Sequence, residues 1–193
     1  MRLFSRRLAP LLVALAWLTL GPGLMAQPLP QQLGSFQSTG EFTDFEQQPG
    51  GAGLGVSMGY ARKDGARATL YLYDRGRRRA PEGGQNPDLP AELAQTVREL
   101  TAAINQGYYT AVTPAETNLL ITGNGNYPGI RCSNLRLTRN DGRQTGESVC
   151  VTVLAGRFVK ARVSLRQSDD VQQATFAAIE LMVEMQLRAA RGG

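Results

Sequence analysis

Residues Ile130–Arg166 read IRCSNLRLTRNDGRQTGESVCVTVLAGRFVKARVSLR, and the alternation within them decides how the chain is built. Leu135 and Leu137, then Val149, Val151 and Val153, then Val159, Ala161, Val163 and Leu165 recur at every second position. That period puts apolar residues on one face of a strand and polar residues on the other. It predicts an antiparallel meander of strands 130–138, 148–155 and 158–166, with one face on the core and one in water. Asn140-Asp141-Gly142 is a three-residue hairpin loop, because Gly142 can take the positive φ that closes such loops. If Arg139 and Arg143 flank the loop, Cys132 and Cys150 fall opposite each other in a non-hydrogen-bonded pair. Such pairs bring Cα atoms to about 4.5 Å, within disulfide reach. These are the only two cysteines, and their spacing is far from the C-x-x-C of redox or metal sites. The expected disulfide is Cys132–Cys150, with a structural role.

Working outward, Val56–Ala61 and Ala66–Tyr73 form a second hairpin around Lys63-Asp64-Gly65. Ala68, Leu70 and Leu72 share one face of its second strand, and Thr69, Tyr71 and Tyr73 share the other. Both faces are partly apolar, which predicts a central hairpin covered on both sides. Asp88 and Pro90 mark a helix start, and Leu93, Val97, Leu100 and Ile104 give it one apolar face before Gly107 ends it. Short strands are expected at 108–113 and 118–122. Asp169 with Gln172 opens a last helix over 170–190, with Val171, Ala174, Ala178, Met182 and Met185 as its apolar stripe. Residues 27–35 read as a loose leader, and 36–45 as a short strand anchored in the core by Phe42 and Phe45.

The first 26 residues stand apart. Arg2, Arg6 and Arg7 precede the apolar run Leu11–Leu20, and Leu24-Met25-Ala26 closes the segment. A basic start, a short apolar run and a small exit residue make a secretory signal peptide. The run falls short of the roughly 20 apolar residues that a membrane anchor needs. Ser5-Arg6-Arg7 invites twin-arginine export, but Leu8-Ala9-Pro10 is not the expected continuation, so ordinary secretion is the better reading. The expected organisation is a signal peptide, 1–26, and a single domain, 27–193, that resides in the periplasm or is secreted. Of the 21 Lys and Arg, three lie in the leader, which leaves 18 basic against 16 acidic residues beyond it. So small an excess, in that compartment, argues against a nucleic-acid partner.

The stretch Val56–Gly76, VSMGYARKDGARATLYLYDRG, followed by a loop and an amphipathic helix, resembles the PsbP-like fold. That group includes secreted and periplasmic bacterial accessory proteins. The resemblance implies an α+β fold, an antiparallel β-sheet with a central helix and a C-terminal helix packed on it in an αβα arrangement. It also implies a non-enzymatic accessory or binding role, and it carries no catalytic set with it.

The catalytic patterns in the chain have plainer readings. Gly55-Val56-Ser57-Met58-Gly59 matches the nucleophile elbow, but there is no histidine to serve as base and Ser57 falls in a strand. A serine–lysine pair would need Lys63 or Lys160, the only lysines. Gly123-Asn124-Gly125 with Gly129 lacks the Gly-Lys-Ser/Thr of a phosphate loop. Asp44 with Glu46, or Asp169 with Asp170, could pair for glycoside chemistry, although the second pair suits a helix start. No metal site and no cofactor are expected. The candidate binding residues are Arg77, Arg78, Arg79, Arg136, Lys160, Arg162 and Arg166. These would grip an acidic protein or envelope component, or else be solvated surface.

The expectation is therefore a periplasmic or secreted binding protein without catalysis and without a membrane span in its mature part. Two alternatives stand beside it, an inhibitor or immunity protein against a cell-wall-degrading enzyme and a carboxylate-dependent glycan hydrolase. Mass spectrometry of the exported product is expected to find Gln27 at its N-terminus; an intact leader would contradict the processing.

Overall fold

The computed structural model describes residues 29–123 and 128–191. The proposed leader, and Asn124 and Gly125 of the glycine loop, lie outside them. The strands are β1 (Gln32–Leu33), β2 (Phe36–Asp44), β3 (Val56–Ala61), β4 (Ala66–Tyr73), β5 (Ala111–Ile121), β6 (Ile130–Thr138), β7 (Gln144–Leu154) and β8 (Arg157–Leu165). Two α-helices join them, α1 (Leu89–Ala102) and α2 (Val171–Ala190). All strands belong to one antiparallel sheet in the order β1-β2-β3-β4-β8-β7-β6-β5.

This corrects the expected layering. The chain is mostly one curled eight-stranded sheet, half of a barrel, and α1 is a short helix over part of β5–β7, not a central layer. The reason is the pairing of β4 with β8, from Ala66↔Leu165 to Tyr73↔Phe158. It fuses the N-terminal hairpin and the C-terminal meander into a single sheet. Local periodicity carries no information about that union.

The three strands of the meander pair as expected, but the apolar stripe of β8 faces the side opposite those of β6 and β7. Arg139 N–H donates to the Arg143 carbonyl at 2.9 Å, and Gly142 has φ +80°. Cys132 faces Cys150, with Cα atoms 4.1 Å apart, and the two are disulfide-bonded. What differs is the covering. The cysteine face, with Leu70, Val159, Ala161 and Val163, packs under α2, whose Ala174, Ala177 and Ala178 let the helix approach closely. On the opposite face Val149, Val151, Val153, Leu135 and Leu137 pack with Leu89, Leu93 and Leu100 of α1. The meander is thus covered on both sides where water was expected on one. The hairpin β3–β4 takes its expected central position, but it is fully covered on one side only, since Arg67 and Thr69 of β4 face an open trough.

Three local readings change. The described part of the expected loose leader 27–35 is ordered, since Leu29 and Leu33 are buried and β1 pairs with the start of β2. Phe42 is 49 % exposed and anchors nothing, because β1 is only two residues long and leaves most of β2 as an edge. The two short strands expected around 108–122 are one strand, β5, whose register shifts on both sides of Glu116. Pro114 and these irregularities blunt the opposite edge of the sheet against pairing with other chains.

Both helices start within a residue of the expected positions, although Asp88 makes no side-chain cap hydrogen bond. Leu89 and Pro90 open α1 after Asp88, whose carboxylate pairs with Arg77. At α2 the cap is Asp170, one residue later than expected, and its carboxylate accepts from the Gln172 and Gln173 N–H groups. Converting both cysteines to alanine is expected to destabilise the fold by about 3 kcal/mol, since an 18-residue separation is freed in the unfolded chain. Urea unfolding of the oxidised parent and the double variant measures this, and no change would deny the bond a structural role.

Candidate functional site

The seven candidate cations separate into two groups. Arg77 pairs with Asp88, and Arg79 sits 3.7 Å from Glu82 with its stem against Gly156. Arg78 is exposed on the same loop. Arg136 pairs across the sheet with Gly146, which packs against Asp169 and Asp170 at the start of α2, and lies 3.9 Å from Asp169. It therefore belongs to the α2 side and not to the face of Lys160 and Arg162, where the alternation had placed it. Lys160, Arg162 and Arg166 lie along the face opposite α2, where Arg162 borders two hollows, Lys160 one of them and Arg166 the other.

There β4 and β8 lay their polar residues side by side, as Arg67↔Ser164, Thr69↔Arg162 and Tyr71↔Lys160. On β7, Glu147 is completely buried and accepts hydrogen bonds from Arg162 Nε and Ser164 Oγ. Arg162 also donates to the Tyr109 hydroxyl at 3.0 Å. Burial pushes the Glu147 carboxyl above its ordinary value, against the pull of Arg162 and Ser164. Burial works the other way on Arg162, yet Glu147 and Tyr109 outweigh it and hold the guanidinium charged. A buried pair of this kind is sustained by complete hydrogen bonding, and its chief effect is to fix geometry.

Lys160 is held differently. Its ammonium lies 4.7 Å from the centre of the Tyr71 ring and 5.6 Å from that of Tyr73, and it donates to Thr96 Oγ1 at 3.2 Å. Burial lowers its pKa, with Glu99 and Glu92 pulling back. Tyr73 donates to Glu92 at 2.8 Å, and Arg75 donates to the same carboxylate at 2.6 Å, which ties α1 to β4.

Around this floor runs a trough of about 530 Å³, lined among others by Arg67, Arg139, Arg162, Arg166, Tyr109 and Glu41. One wall comes from β2. Glu41 and Thr39 fold over Gly59, where a Cβ atom would stand only 2.7 Å from an oxygen of each. A second hollow of about 350 Å³ adjoins under α1 and shares Tyr109 and Arg162 with the first. Arg67, Arg139 and Arg166 are exposed, and none pairs with a carboxylate among the described residues. Sequence reasoning missed Arg67, Arg139, Tyr109 and Glu41. The parity of Arg67 with Thr69 and Tyr71 was a usable signal for the first; the others arrive through tertiary contacts.

The remaining motifs have structural employment. Asp44 caps a 3-10 turn by accepting from the Glu46 N–H, and Glu46 accepts from the N–H groups of Gly53 and Gly55. Ser57 lies inside β3, and Tyr71 stands between it and Lys160 in the cross-strand row. Among the described residues no cluster of three or more His, Cys, Asp or Glu could hold a metal ion. Nor is any described helix long and apolar enough to cross a membrane. No protein-family profile matches the chain, and no curated protein matches it in sequence.

Replacing Arg162 with Met strands the Glu147 carboxylate and is expected to cost about 3–5 kcal/mol in urea unfolding. Adding Glu147→Met should recover much of that loss. A double variant no more stable than Arg162→Met would show that the two charges do not act as a pair.

Proposed function

We propose that this is a periplasmic or secreted binding protein, without catalysis, that takes an anionic envelope component in the trough opposite α2. Export rests on the basic and apolar pattern of the first 26 residues. The observation that carries the site is that Arg67, Arg139 and Arg166 line one trough with none of them in an ion pair among the described residues, beside an Arg162 already committed to Glu147. The inner pair stiffens the floor, and the outer guanidiniums are free to fork onto carboxylate or phosphate oxygens.

The same geometry weighs on the alternatives. Glycan hydrolysis needs two carboxylates facing the substrate. Glu41 lines the trough, whereas Glu147 is buried beneath it on Arg162 and Ser164, an arrangement that favours holding a ligand over cleaving it. An inhibitor that plugs an enzyme cleft needs a protruding element, and a trough accepts a ligand instead. That favours the binding reading over the inhibitor or immunity reading.

The test is retention of envelope material on the immobilised mature protein. With Arg67, Arg139 and Arg166 all changed to Gln, the anionic material retained is expected to fall about tenfold, and retention by the parent should weaken steeply with salt. Equal retention by parent and triple variant would refute the site.

A further inference from the structure

We propose that the trough and the hollow beside it form one elongated site for an acidic saccharide. Its oxyanion sits among Arg67, Arg139 and Arg166, and a neighbouring sugar ring lies against Tyr108 and Tyr109. This rests on the reading of the trough as an anion site and adds the identity of the ligand.

Size is the first argument. A water molecule's share of liquid volume is about 30 Å³, so hollows of about 530 and 350 Å³ are far larger than one inorganic oxyanion requires. Because Arg162 and Tyr109 line both, the hollows are immediate neighbours, close enough for a ligand anchored by charge in one to reach the other.

The lining of the second hollow is the next argument. It is lined by Tyr108 and Tyr109, by Tyr71 with Lys160 over its ring, and by the polar residues Glu99 and Gln106. A sugar ring has an apolar C–H face and a rim of hydroxyls that both donate and accept. Aromatic faces bordered by carboxylate, amide and hydroxyl groups match that pairing, as a tyrosine is itself apolar in body and polar at its tip.

Tyr109 is also set in place beforehand. Gly107, with φ +76°, turns the chain after α1 and directs Tyr108 and Tyr109 back along the sheet, and Arg162 holds the Tyr109 hydroxyl. An aromatic ring fixed before binding loses little freedom on binding. Tyr108 is 66 % exposed beside this hollow, an arrangement that the packing of the core does not require.

The experiment is calorimetric titration of the mature protein with tetragalacturonate, glucose 6-phosphate, maltotetraose, adenosine monophosphate and inorganic phosphate. At least one of the two acidic sugars is expected to bind about tenfold more tightly than maltotetraose or inorganic phosphate. Which one does so tells a carboxylate-bearing glycan from a phosphate-bearing one. Tyr108→Ala, at an exposed position, should weaken the acidic sugar about tenfold and leave inorganic phosphate unchanged. Equal binding of inorganic phosphate and both acidic sugars, or no effect of Tyr108→Ala, would overturn the saccharide assignment and leave the anion site standing. Tighter binding of adenosine monophosphate than of either acidic sugar would overturn it in favour of a nucleotide. If no anion binds, both this inference and the anion site fall.

Discussion

The ladder between β4 and β8 holds the molecule together. Eight residue pairs, from Ala66↔Leu165 to Tyr73↔Phe158, join two segments that are distant in the chain. Without it there would be a small N-terminal sheet of β1–β4 and a separate sheet of β5–β8, each with an unpaired edge. With it, α2 closes one face over both halves, and the opposite face gathers side chains from β2, β4 and β8 into one trough. Loop-closure entropy opposes a pairing of such long range. The disulfide within β6–β7 constrains the adjoining hairpin in the unfolded chain and so offsets part of that entropy.

The two faces of the sheet answer to different physics. Under α2 the packing is apolar and tight, with alanines meeting the disulfide and the valines of β8. The opposite face divides into a dry patch under α1, where Tyr73 stacks on Phe158 at 5.3 Å between ring centres, and a charged region that no helix of the described chain fills. The buried Glu147–Arg162 pair lies at the border. Replacing such a pair with apolar residues is often neutral or stabilising, so its retention is better explained by the fixed position it imposes on Arg162, and through it on Tyr109.

Much of the local structure was legible in the residues. The register of β6 with β7 followed from Asn140-Asp141-Gly142 and the alternation beside it, because a tight loop leaves one way to pair its flanks. Both helix starts were visible to within a residue from their caps. Phe42 was misread because hydrophobicity says nothing of where a strand's neighbour ends. The merging of two short segments into β5 escaped notice because register shifts interrupt the alternation by which strands are recognised. Of the site, Arg162 and Arg166 were legible through parity on one strand, and Arg136 failed the same test because it sits on the other face of its own strand.

The chain on its own determined its hairpin, where its helices start, the partner of each cysteine and which side chains share a face of a strand, although α1 stops at Ala102 rather than running to Gly107. These depend on interactions within a few residues of one another, where spacing is geometry. Only the tertiary structure decided that the strands form one half-barrel, that Lys160 and Arg162 are sheltered while Arg67, Arg139 and Arg166 stay open, and that Glu41 and Tyr109 join them. Those outcomes require segments distant in the chain to meet, and the energy of their meeting is written in no single segment.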